Sequence, residues 1–208
     1  MRKIIKVLVL CAVTLAGCRV AAQSEIKIYH GDRGSAVLIH DGTATTLQIA
    51  GGALSRGQAT AGDCFAKAQL HLKKTPAYYE GTLLPVANEL MDLSSDDVAE
   101  RGLGVYLLPS EIIVGAVETE GMCADGIDFS GRYRDVSRDS SSYDPIFYYF
   151  LRLADQSALR AASSGDKVSA LSDLIPFINA SKKRESPKRR EDFDTLQKAR
   201  VDYERIAK

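Results

Sequence analysis

The sequence predicts an α+β protein in which an antiparallel β-sheet, a sandwich or a half-barrel, is followed by a C-terminal group of about three helices. Three observations carry this. Ala66, Ala68, Leu70 and Leu72 alternate with Lys67, Gln69, His71 and Lys73, the period of two of an antiparallel strand with one wet face. Asp41-Gly42 separates the runs 35–40 and 43–50, and this dipeptide suits the positive φ angles of a two-residue hairpin turn. From Asp144-Pro145 onward the apolar period becomes helical. Strands first and helices afterwards indicate a segregated α+β chain, not a wound parallel sheet.

In order, residues 26–29 open a β domain that spans 26–136. After the hairpin, Gly51, Gly52, Gly57 and Gly62 form a loop that delivers the chain to Cys64. Thr75-Pro76 breaks the alternating strand, and 78–86 form the next, ended by Asn88. Ser94-Ser95-Asp96-Asp97 can cap a short helical turn. Residues 105–108 and 112–118 are two further strands, parted by Pro109-Ser110. Ile127, Phe129 and Tyr133 alternate with Asp128, Ser130, Arg132 and Arg134, a strand just after Cys123.

A polar linker, 138–142, leads to the helical region, 143–208. Asp144 is its expected N-cap, with Pro145 in the first turn. Phe147, Phe150, Leu151, Ala154 and Ala158 share one face, expected to pack on the sheet. Ser164-Gly165-Asp166 stops this helix and caps a second, in which Val168, Leu171, Leu174 or Ile175, and Ile178 recur and Pro176 is expected to end or kink the helix. Ser186-Pro187 starts the third, with Phe193, Leu196, Ala199, Tyr203 and Ile206 on its apolar face.

At the other end, Arg2, Lys3 and Lys6 precede an apolar run, 7–15, too short to cross a bilayer as a helix. Residues 1–17 are therefore an export signal. It closes in Leu15-Ala16-Gly17-Cys18, an aliphatic residue, two small residues and a cysteine, and in this it resembles a bacterial lipoprotein. The resemblance implies cleavage before Cys18, acylation of Cys18 and a lipidated tether over 18–25. Several acyl chains hold durably where one holds marginally, so the chain would be anchored to the membrane without spanning it. In that family an Asp after the cysteine favours inner-membrane retention in enterobacteria. Arg19 stands here, which implies the outer membrane, with the periplasmic face favoured over surface display. Ordinary cleavage after Ala22, which would discard Cys18, is the competing reading. The helical part, Phe147 to Phe177 and then Phe193 onward, also resembles a C-terminal segment of uncharacterised exported bacterial proteins.

Cys11 falls in the signal and Cys18 is the lipid site, leaving Cys64 and Cys123. In an oxidising compartment that pair is expected to form a disulfide. Neither has a His or second Cys at ligand spacing, so thiol catalysis and a thiolate metal site lack partners. The full sequence carries 27 Lys+Arg against 27 Asp+Glu, unevenly distributed: acids dominate 18–180 and bases 181–208. An acidic exported body repels nucleic acid, so no nucleic-acid partner is expected. The run Lys182-Lys183-Arg184 and Lys188-Arg189-Arg190 either touches anionic lipid or an acidic partner, or is a solvated helix start.

His30, His40 and His71 have no i, i+2 or i, i+4 spacing, no Gly-x-Ser-x-Gly turn presents a nucleophile, and each is read as a solvated strand histidine. Gly31-Asp32-Arg33-Gly34 lacks the strand-to-helix setting of a phosphate loop. Glu118, Glu120, Asp125 and Asp128 crowd around Cys123. They offer calcium oxygen ligands but not in EF-hand order, and a solvated acidic turn is expected. No catalytic residue, metal or cofactor is therefore assigned. Tyr78, Tyr79, Tyr106 and Tyr133 supply aromatic area, half or more of it core and the rest suited to recognition. The expected function is a non-catalytic binding module with a protein partner in the envelope: an inhibitor or immunity protein for a hydrolase or toxin, or an assembly factor. A small envelope hydrolase acting on peptidoglycan or peptides is the alternative.

Overall fold

The computed structural model describes residues 24–42, 44–51, 53–54, 64–124, 127–182, 184 and 186–208. The expected export signal, Cys18, most of the expected tether, most of the expected glycine-rich loop, Asp125 and Lys183 lie outside the described residues. In chain order the strands are β1 (Glu25–Gly31), β2 (Gly34–Asp41), β3 (Ala44–Gly51), β4 (Ala53–Leu54), β5 (Cys64–Leu72), β6 (Tyr78–Leu83), β7 (Val86–Ala87), β8 (Asp92–Leu93), β9 (Gly102–Leu107), β10 (Glu111–Val117), β11 (Ile127–Asp128) and β12 (Gly131–Asp135). They are followed by α1 (Tyr143–Ser163), α2 (Lys167–Ser181) and α3 (Arg190–Ala207).

The long strands close into a barrel in the order β1-β12-β10-β9-β6-β5-β3-β2, where the sequence suggested a sandwich or half-barrel. Closure is made by the first and last strands, with Tyr29 opposite Asp135 and His30 opposite Arg134. It leaves the main sheet no free edge, which removes the pairing hazard of an open antiparallel sheet. The short strands pair separately, β4 with β11 and β7 with β8.

Local chemistry places the first hairpins. β1 turns into β2 across Asp32-Arg33, with Gly31 opposite Gly34. Gly34 has φ 134°, and a Cβ there would run into the Ala50 carbonyl oxygen, so the close approach to β3 admits only glycine. In the next hairpin Asp41 pairs with Ala44, so Asp41, expected in the turn, belongs to the ladder instead. Gly42, at φ 60°, supplies the left-handed conformation.

Side chains fill the barrel, as eight strands require. Tyr29, Leu38, Leu47, Ile49, Ala68, Val105, Ile112 and Tyr133 are all buried inside it. A second core lies outside one half, where Ile26, Ile28, Val37, Ile39, Ala50 and Phe65 meet Phe147, Phe150, Leu151, Leu174 and Phe177 of the helices. On that half the strands are buried on both faces, which explains the unbroken buried run Ala36-Val37-Leu38-Ile39. On the other half, none of the described helices packs on the outer faces of β6, β9, β10 and β12, and alternation survives: on β9, Leu103 and Val105 point in, Gly104 and Tyr106 out.

The helices depart from expectation at three points. Asp144 does not cap α1: the N-cap position is Ser142, without a side-chain cap bond, and Asp144 pairs with Arg184. Pro176 neither ends nor interrupts α2, which continues to Ser181. An interior proline costs a helix about 3 kcal/mol, and here burial of Leu174, Phe177 and Ile178 around it holds the helix in place. α3 begins at Arg190 instead of near Pro187, and Phe193 is exposed while Asp192 turns inward beside Arg189, 3.6 Å away. The break between α1 and α2 follows the sequence: Gly165 has φ 90° and Asp166 accepts a hydrogen bond from the Ser169 N–H at 3.0 Å.

Candidate functional site

The bare half of the barrel carries a groove of about 520 Å³ across the outer faces of β5, β6, β9 and β10. Its floor follows from pairing. Tyr78 lies opposite Tyr106, Glu80 opposite Gly104 and Thr82 opposite Gly102, so two successive outward positions of β9 have no side chain. Gly104 is tightly overlaid: a Cβ there would sit 2.8 Å from the Tyr78 hydroxyl. At one end the rings of Tyr78 and Tyr106 pack with centroids 5.0 Å apart. One side carries His71 and the Lys73–Glu80 ion pair at 2.6 Å. At the far end Arg101 donates to the Glu118 and Glu120 carbonyls, and Glu118 accepts from the Gly102 N–H at 2.8 Å.

Ala77 precedes β6 with φ 63° and Glu100 lies just before β9 with φ 61°. A non-glycine residue in this left-handed region costs roughly 1–2 kcal/mol. Strain of this kind persists where surrounding structure fixes the chain and often marks a functional surface. Here both strained residues lead into the groove-forming strands.

The structure disperses the histidines. His30 Nδ1 is hydrogen-bonded to Ser35 Oγ and His40 Nδ1 to Thr45 Oγ1, each at 2.9 Å, and in each case the partner is the residue directly opposite on the adjoining strand. Among the described residues no carboxylate bonds to either ring, so neither pair has the third group that orients a general base. His71 alone of the three lines the groove.

The tyrosines divide by strand face. Tyr133 is buried in the barrel and donates to the Phe129 carbonyl at 2.8 Å, while burial pushes its hydroxyl well above the ordinary tyrosine range. Tyr79 packs against the interior cluster, leaving Tyr78 and Tyr106 outside. The acidic residues near Cys123 separate likewise. Burial pushes the Asp128 carboxyl up, but hydrogen bonds from the Ser130 N–H and hydroxyl, with the Arg33 charge, outweigh it and hold the group below the ordinary carboxylate range. Glu118 serves Gly102, and among the described residues no three His, Cys, Asp or Glu side chains are grouped to hold a metal ion.

Cys64, at the start of β5, and Cys123, beyond β10, have Cα atoms 5.7 Å apart and sulfurs at bonding distance. Both are packed with the barrel interior, near Met91. Sequence reading did not single out Gly102, Gly104, Glu100 or Arg101. The available signal was the alternation Arg101-Gly102-Leu103-Gly104, since glycines two apart in a strand clear one face for a close approach.

Comparisons with protein-family models, curated proteins and solved structures find no match for this chain.

Proposed function

We propose that the chain is an exported lipoprotein, anchored through acylated Cys18 to the outer membrane and facing the periplasm, whose barrel binds a protein partner and catalyses nothing itself. The observation that carries the reading is the glycine-floored groove on the half of the barrel that the helices leave bare. Its charges are mixed, Lys73 and Arg101 against Glu80, Glu100 and Glu118. That pattern suits a protein segment with its own alternating charges and disfavours a polyanion. Tyr78 and Tyr106 provide a rigid aromatic anchor of the type that concentrates binding energy. A disulfide between Cys64 and Cys123, formed in an oxidising periplasm, would tie the two flanks of this half together. An inhibitor or immunity protein for a hydrolase or toxin, or an assembly factor, fits the arrangement.

The test has two parts. Mass spectrometry of the mature protein should find an acylated Cys18, and an unmodified amino terminus at Gln23 would overturn the anchor. A photo-crosslinker at position 106 should capture a partner from intact envelopes. The purified partner should then bind purified protein, bind poorly to a Gly104→Val variant, and bind normally when the exposed α3 residue Val201 is changed to Ser. If the protein instead hydrolyses peptidoglycan, a peptide or an ester with turnover, and His71→Gln abolishes it with the fold intact, the hydrolase reading replaces this one.

A further inference from the structure

A second cleft, of about 700 Å³, lies where the linker leaving the barrel meets the first turn of α1 and the start of α3. Arg138, Arg184, Lys188 and Arg189 line it together with three serine hydroxyls. Of the lining acids, Asp144 pairs with Arg184 and Asp192 with Arg189. Among the described residues Arg138 and Lys188 form no ion pair, and neither does the remaining acid, Asp139.

Arg184 is the deepest of these cations. Its side chain is 16% exposed, its guanidinium lies 4.5 Å from the Tyr143 ring centroid and 5.0 Å from that of Phe147, and its buried Nε has no hydrogen-bond partner among the described residues. Burial pulls its proton affinity below the ordinary arginine value; Tyr143 opposes this and Arg138 adds to it. Asp144 and the two rings offset part of the cost of burying this cation, and an anion in the cleft would offset more of it. The helix starts contribute too. Whereas α2 is capped by Asp166, α1 and α3 have no side-chain cap bond, and their opening residues line the cleft. At α1 the Tyr143 N–H is taken by the Ser140 carbonyl and Pro145 has none, so free N–H groups come chiefly from the start of α3, and the positive ends of the two helix dipoles add to the four side chains.

The position of the cleft is also informative. β12 runs antiparallel to β1, with Asp135 opposite Tyr29 and the Val136 N–H bonded to the Ile28 carbonyl at 2.8 Å. The linker after β12 therefore continues toward the end of the barrel at which β1 begins. Cys18 precedes Ser24 by a segment that spans at most about 20 Å when extended.

We propose that this cleft binds a phosphate group, that of an anionic phospholipid in the membrane to which the chain is tethered. The membrane source rests on the lipid-anchor reading; the phosphate site does not. A Cys18→Ser protein, which carries no acyl chain, would be sedimented with phosphatidylcholine vesicles with and without phosphatidylglycerol. It would also be titrated with inorganic phosphate and pyrophosphate while amide NMR signals of Lys188 and Arg189 are followed. Pure phosphatidylcholine controls for the apolar signal should it remain attached.

The expected result is sedimentation that requires phosphatidylglycerol, competition by pyrophosphate, and shifts at both amides. Replacing Arg138 and Lys188 together by Gln, which leaves the stacked Arg184 in place, should weaken vesicle binding roughly thirty-fold at low salt. Arg184→Lys, which keeps the charge and loses the planar fork, should weaken the amide response to phosphate while circular dichroism stays native. Amide shifts with phosphate but no vesicle binding would retain the site and overturn its lipid source. Vesicle binding that survives the double substitution, or no amide response to either phosphate, overturns the site. An unacylated Cys18 would remove the anchor alone, since no arm of this experiment uses the lipid.

Discussion

The two halves of the barrel share one strand period and one interior, and differ in what lies outside. On β1, β2 and β3 the outward residues Ile28, Val37, Ile39 and Ala50 are buried under the helices. On β6 and β9 the corresponding positions are Glu80, Thr82, Gly104 and Tyr106, on the outer face. A strand buried on both faces has every side chain committed to packing, whereas a strand buried on one face keeps alternate positions for recognition at little cost to stability. The helices therefore do more than thicken the fold. By covering one half they leave the other as the surface on which binding chemistry can be placed.

The sharpest contrast comes from large-to-small substitutions. Phe150, fully buried in α1, packs against Phe65 of β5 with ring centroids 6.2 Å apart. Phe150→Ala should cost about 3–5 kcal/mol in urea-unfolding free energy, whereas Tyr106→Ala on the bare half should cost less than about 1 kcal/mol. Equal losses would mean that the bare half is part of the packed core after all. Next in size, replacing Cys64 and Cys123 together by Ser should cost about 2–4 kcal/mol, the usual range for closing a loop of this kind, and two free thiols titrating in the denatured, unreduced native protein would rule the bond out. Gly104→Val should leave the melting temperature within a few degrees, because the Tyr78 hydroxyl end can swing away, yet it should abolish partner capture by the groove.

Titration separates two regions by sign. Asp155 of α1 is buried; burial raises its carboxyl above the ordinary value, with the neighbouring Asp202 also raising and Lys198 lowering it. The unfolded carboxyl thus ionises first as pH rises, and stability falls between the ordinary aspartate pKa and the raised folded value. Asp155→Asn should flatten that slope. Asp128, held low, does the reverse: its contribution is present above the ordinary aspartate pKa and is lost as pH falls through the folded value. Lys198, raised by its two carboxylates against the opposing effect of burial, contributes below the ordinary lysine pKa and loses that contribution as pH rises through its folded value. Urea midpoints across pH, for wild type, Asp155→Asn and Asp128→Asn, would measure each slope.

The smallest expected effect is at the histidines. His30→Gln and His40→Gln should change stability by no more than about 0.5 kcal/mol and leave binding intact. His71→Gln should be equally mild for stability but weaken binding several-fold, because only His71 lines the groove. Identical binding by all three variants would remove His71 from the site.

Several features were legible in the sequence because they are local. The alternation from Ala66 to Leu72 reports a strand in itself, Gly42 and Gly165 report left-handed backbone, and Phe147, Phe150, Leu151, Ala154 and Ala158 report one buried helix face. The tertiary structure decided the rest. Barrel closure depends on Tyr29 meeting Asp135, a contact between residues far apart in the chain that no short-range period encodes. Tyr106 and Tyr133 both sit in alternating strands, and only the direction of each strand within the closed barrel makes one a surface anchor and the other core. Pro176 stays within a helix and Phe193 stays exposed for the same reason, since the burial available from neighbouring elements outweighs local preference. The groove and the cationic cleft both lie between segments distant in sequence, so their residue types could be read from the chain but their assembly could not.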